Sequence, residues 1–264
     1  MTAKSKTYQS FRSNKAKHIT RYAPYSLLDV VPWLLLATIL RMNMKVAPGA
    51  LALLLLPLVQ IVVFIAFLLA SEKMIALSRG HTSLAELTIN AKARFAWQVI
   101  WRLLLLFLVS VLLAIGIGVS ELQAATMWMG FDGLAFPWRQ GPLQAWVAFI
   151  SIVAFVFVLE KGGGRDPKYL NIVRRLYEHR RSLFTSWVYI SLFLMLATYV
   201  QGRIALLAGY LLSFTDLASI ERVALIGYIA AFSYLRIWVV VAILTVSLRA
   251  SYGRLGVKSQ QERK

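Results

Sequence analysis

Six predominantly apolar stretches, at about 22–41, 50–70, 97–119, 142–160, 183–201 and 223–248, alternate with short polar segments along the chain. A helix needs about 20 mostly apolar residues to cross the roughly 30 Å of bilayer hydrocarbon, so the pattern predicts an all-α, polytopic membrane protein with six transmembrane helices. The second stretch, ALALLLLPLVQIVVFIAFLLA, is the clearest. The first is the weakest: its uninterrupted apolar core covers 26–40 and contains Asp29 and Pro32. Tyr22 and Tyr25 as interfacial anchors make it just long enough to span, and a re-entrant or in-plane segment is the alternative. The membrane domain then occupies 22–249, between a basic segment 1–21 and a basic tail 250–264.

Loop charges test the span count. With Arg41 counted at the edge of the first connection, Lys plus Arg number 6, 2, 4, 1, 7, 2 and 5 through the successive tails and loops. High and low values alternate throughout, which places 22 basic residues on one face and 5 on the other. The positive-inside rule puts both termini in the cytoplasm. No cleavable signal precedes the first apolar run, so insertion is expected to rely on that span itself.

Composition fits this frame. Of 264 residues 59% are apolar and 15% charged, mean hydropathy is +0.67 and the formal charge is +18. That is too apolar for a disordered chain. The basic residues are split between apolar runs and form no single groove or stripe, so a nucleic-acid partner is not expected. With no cysteine there is no disulfide frame or thiol chemistry.

The two inner loops look alike. The second span ends in Ser71-Glu72-Lys73 and the fourth in Leu159-Glu160-Lys161, each followed by glycine. Each loop then restarts a helix: Ser83 with Glu86 makes a capping-box pattern, and Asp166-Pro167 supplies an N-cap and a first-turn proline. Leu170, Val173, Leu176 and Tyr177 form an apolar stripe flanked by Arg174, Arg175, Arg180 and Arg181. In the first loop the stripe is Leu84, Leu87, Ala91 and Phe95. The repeated unit is span, Glu-Lys, glycine turn, amphipathic interfacial helix, next span. Segment 1–21, with Tyr8, Phe11, Ile19 and Tyr22 near one helical face, suits a third interfacial helix, or else a disordered basic tail. Such a basic collar faces anionic lipid, each Lys or Arg contributing about 1 kcal/mol, or simply orients the bundle. Lys168, Arg174, Arg175, Arg180 and Arg181 are its expected headgroup contacts, joined by Arg102, which is shallow enough to snorkel.

The stretches SEKMIALSRGHTSLAEL, VLEKGGGRDPKYLNIVRRLYEHRRSLF and YLRIWVVVAILTVSLRASYG carry a resemblance to the YciC family of bacterial inner-membrane proteins. They also resemble the related membrane domain that accompanies some glycerophosphodiester phosphodiesterases. The likeness covers about two thirds of the chain. The short connection between the first two spans departs from the longer outer loop of that family, and no phosphodiesterase catalytic domain is present. The resemblance implies a multi-pass protein of the bacterial inner membrane that is not an enzyme.

Charges within hydrocarbon are rare and usually paired or functional. Arg236 lies mid-span, and Asp29 is the acidic residue within a span, so the two are expected to form a buried pair joining the first and last helices. A lipid-phosphate or substrate contact by Arg236 is the alternative. Gln60 adds a polar group three residues after Pro57, and with the kinks expected at Pro32 and Pro57 could line a path. Gly116 and Gly118 permit close helix packing. The loop 120–141, with Trp128, Phe131, Phe136 and Trp138, reads as an aromatic belt on the outer interface, or as a partner-docking patch.

His18, His81 and His179 share no ligand spacing and read as solvated or headgroup-level residues, so neither a metal nor a cofactor is expected. There is no HExxH, GxSxG or phosphate-binding glycine loop. The expected function is a non-enzymatic membrane component that contacts anionic lipid or scaffolds an envelope assembly, with a membrane-protein partner possible through its basic face. The alternative is a transporter or lipid-moving protein using Arg236, Asp29 and Gln60.

Overall fold

The computed structural model describes residues 25–46, 49–77, 84, 87–116, 118, 131–136, 141–163, 168–212 and 218–261. All regular structure among them is helical: α1 (Val31–Val46), α2 (Gly49–Leu77), α3 (Ile89–Gly116), α4 (Gly141–Gly162), α5 (Tyr169–Glu178), α6 (Arg180–Leu212) and α7 (Ala218–Gln261). A 3₁₀ turn, Tyr25–Val30, leads into α1, and another, Asp132–Leu134, lies between α3 and α4. Four helices hold segments long and apolar enough to cross a membrane: Leu54–Leu77, Leu143–Gly162, Arg180–Leu207 and Val223–Ala250. They match four of the six sequence stretches. At 1.5 Å per residue α1 is about 24 Å long and α3 about 42 Å.

Polar pairings define two ends of the bundle. At the basic end Lys73 meets Asp29, Lys92 meets Glu72, and Arg175 meets Glu160. At the far end Arg41 meets Asp132, and Gln144 bonds Thr198. Helix α7 packs on α1, α2, α4 and α6, so the first and last helices are neighbours. Helix α3 lies to one side, against α2 and α4.

The core is aromatic and aliphatic. Phe64 and Phe67 of α2 stack with Phe95 of α3, Phe155 of α4 and Phe131 of the loop, ring centroids 5.4–6.3 Å apart. Within a bilayer such close packing, rather than escape from water, holds helices together. Four buried hydroxyls are satisfied within their own helices: Thr38, Ser71, Ser151 and Ser191 each donate to the carbonyl four residues back.

The loop segment 131–136 corrects the belt expectation. Phe131 is fully buried between Phe64 and Phe67, and Phe136 lies under the Arg41 guanidinium, 5.6 Å from ring centroid to cation. The Phe131 ring packs on both α2 rings, and Ala135 offers its carbonyl to Ser233 of α7 at 2.6 Å. Trp128 and Trp138 lie outside the described residues. Gly116 and Gly118 do not serve close packing, since a Cβ at either would meet nothing within 4 Å. Gly118 instead takes a φ of +84°, a turn conformation that favours glycine.

Candidate functional site

The basic end is built from the repeated loop pattern. Glu72 accepts from Lys92 Nζ at 2.9 Å, and Glu160 from Arg175 Nε at 2.8 Å. In both halves the acid that closes one helix takes a cation from the next. Helix α3 is capped by Thr88, whose hydroxyl accepts from the Ala91 amide at 3.3 Å. Ser83, Glu86, Asp166, Pro167 and the segment 1–21 lie outside the described residues, and α5 starts at Tyr169 with Lys168 as its N-cap, two residues after the expected Asp166.

Helix α5 is amphipathic in two senses. Ile172 is buried against the bundle and Leu176 half-buried, while Leu170, Val173 and Tyr177 project from the opposite side, Leu170 with 84% of its surface open. Spacings of three and four place those three residues on one stripe. Arg174 of α5 and Arg181 of α6 are exposed, and Arg180 stacks on the Tyr177 ring at 4.5 Å. Lys168 is exposed at the N-cap. Arg175 differs from the other expected headgroup contacts: it faces inward, bonded to Glu160 and Glu178. Arg102 is half-buried over the Phe157 ring, and its carbonyl accepts from the Tyr169 hydroxyl.

His179 joins α5 to α6 and is buried, not solvated as expected. Burial first, then the Arg175 charge, pushes its imidazole below the ordinary histidine range, with Glu178 opposing. His18 and His81 lie outside the described residues.

The expected Asp29–Arg236 pair is not formed. Asp29 precedes α1 in the 3₁₀ turn at the basic end, its side chain 66% exposed and 3.4 Å from Lys73. Arg236 is fully buried and points the other way, because side chains tilt toward a helix's N-terminus and α7 starts at the far end. Its Nη2 donates to Gln201 Oε1 at 2.5 Å and to Thr198 Oγ1 at 3.3 Å, both on α6. Gln144 of α4 donates to the same Thr198 oxygen at 3.0 Å, and the Tyr228 hydroxyl donates to the Gln201 carbonyl. Among the described residues Arg236 has no carboxylate partner, and its Nε and Nη1 lack hydrogen bonds. A charge left so within a membrane helix costs about 2.5–3.5 kcal/mol on insertion scales.

Gln60, the third expected member, belongs to a separate cluster. It is buried on α2 beside Asp132, which is wholly enclosed, with Arg41 Nη1 3.2 Å from its Oδ2. Burial pushes the Asp132 carboxyl up to about 6, against the pull of Arg41 and then Gln60. The Ser233–Ala135 bond ties this turn to α7 one helical turn from Arg236. Gln144, Thr198, Gln201 and Ser233 were not singled out from sequence. The available signal was a glutamine or hydroxyl within an otherwise apolar span.

No group of three or more potential metal ligands occurs among the described residues. No protein-family model, curated protein or solved structure matches the chain.

Proposed function

We propose that this chain is a non-enzymatic, six-span protein of the bacterial inner membrane that engages anionic lipid through its basic end, with both termini cytoplasmic. The observation that carries the reading is α5, which exposes Leu170, Val173 and Tyr177 on one stripe with Arg174, Arg180 and Arg181 around it. An apolar stripe rimmed by arginine lies in an interface with its carbon side chains among acyl groups and its cations among phosphates. The loop-charge alternation supports the orientation, and α1 and α3 supply the remaining two spans.

The absence of cysteine makes the test direct. Leu170→Cys carries an environment-sensitive fluorophore in full-length protein reconstituted into nanodiscs. Its emission is expected to shift to the blue when phosphatidylglycerol is added to phosphatidylcholine, and to shift less in Arg174→Gln/Arg180→Gln/Arg181→Gln. A label that stays in water in both lipid mixtures refutes the reading.

A further inference from the structure

We propose that the Arg236 guanidinium, with Thr198, Gln201 and Gln144, forms a binding site for a phosphate-type oxyanion near the far end of the bundle. The proposal is independent of the lipid-surface reading, which concerns the opposite end. Arg236 has none of its surface open, no carboxylate partner among the described residues, and two of its three guanidinium nitrogens without a hydrogen bond. Its described neighbours are neutral: Gln201 and Thr198 accept from Nη2, which fixes the plane of the fork, and no carboxylate among the described residues cancels the charge. Guanidinium pairs with phosphate oxygens through short charge-assisted bonds, and Nε and Nη1 are the donors left to make them. Gln201 and Thr198 lie on α6, which runs from the basic end to Leu212 toward the far end.

The source of the oxyanion is either free phosphate or a lipid headgroup, and two arms separate them. In the first, full-length protein in uncharged detergent is melted with sodium phosphate and with sodium chloride at equal ionic strength. In the second, it is melted in phosphatidylcholine nanodiscs with and without phosphatidylglycerol. Wild type is compared with Gln201→Glu, which places a carboxylate against Nη2, and with Arg236→Lys, which keeps the charge without the fork.

The expected result is a rise of about 5 °C in one arm when the ligand stands at about 100 times its dissociation constant. Gln201→Glu should melt higher than wild type without ligand and lose that rise, and Arg236→Lys should need about tenfold more ligand. Because Gln201→Glu leaves α5 intact, any lipid effect exerted at the basic end persists in it and is subtracted. Wild type that responds in neither arm overturns the proposal, as does a response of full size in both variants.

Discussion

Glu160 Oε1 holds Arg175 Nε at 2.8 Å, and Glu72 holds Lys92 at 2.9 Å in the same relation. Glu160 ends α4, where the negative pole of the helix disfavours a carboxylate, and the arginine of the following helix offsets that charge. The Glu-Lys echo in the two loops therefore marks two latches. One ties α5 to α4, the other α3 to α2.

Removing a latch should loosen the helix it holds. Glu160→Gln is expected to destabilise the protein by about 1–3 kcal/mol, since Glu160 is buried while Arg175 keeps some solvent and Glu178. Glu72→Gln should cost a similar amount, and the double variant should be additive to within about 0.5 kcal/mol because the latches share no partner. Denaturant melts in mixed micelles measure all three.

Neighbouring arginines on α5 should behave oppositely. Arg175→Gln is expected to lower stability by about 1–2 kcal/mol with little effect on lipid, because its side chain is spent on Glu160 and Glu178. Arg174→Gln should leave stability within about 0.5 kcal/mol, because its partner is an exposed i,i+4 pair. It should nonetheless reduce retention of phosphatidylglycerol in native mass spectra.

Asp132 predicts an acid-stabilised far end. Its folded value, about 6, lies above the unfolded 3.8, so the folded state binds the proton more tightly. Stability then rises as pH falls from above 6 toward 4, by up to about 3 kcal/mol. His179 works the other way, since a lowered histidine loses stability as it is forced to protonate below its unfolded 6.5. The measurement is accordingly a difference: melting temperature against pH for wild type minus Asp132→Asn, which should isolate the acid-side gain.

Phe131 and Ser233 seat the loop turn. Phe131→Ala is expected to cost about 2–3 kcal/mol by emptying the space between Phe64 and Phe67. Ser233→Ala should cost about 1–2 kcal/mol by leaving the Ala135 carbonyl without its donor. Both should raise hydrogen exchange at 131–136 before any helix loosens.

The helical frame was legible because apolar length is a coarse signal that packing cannot reverse. The α5 stripe was legible for the same reason, as Leu170, Val173 and Tyr177 obey a helical period. Contacts were not. Phe131 and Phe136 read as a surface belt because an aromatic on an interface and one folded inward have the same local sequence. The Asp29–Arg236 pairing failed because charge type and depth say nothing of side-chain direction along a helix, and Arg236 leans toward Gln201. Arg175 looked like its neighbours, and the buried Glu160 that claims it lies 15 residues earlier.

The bond from Ser233 to Ala135 spans 98 residues of sequence. The 131–136 turn emerges from the ribosome well before its partner on α7. Until α7 arrives, that turn lacks the Ser233 donor for its Ala135 carbonyl. Closure of this turn thus waits for Ser233, and a chain truncated before residue 233 should insert its earlier helices yet leave the turn unseated.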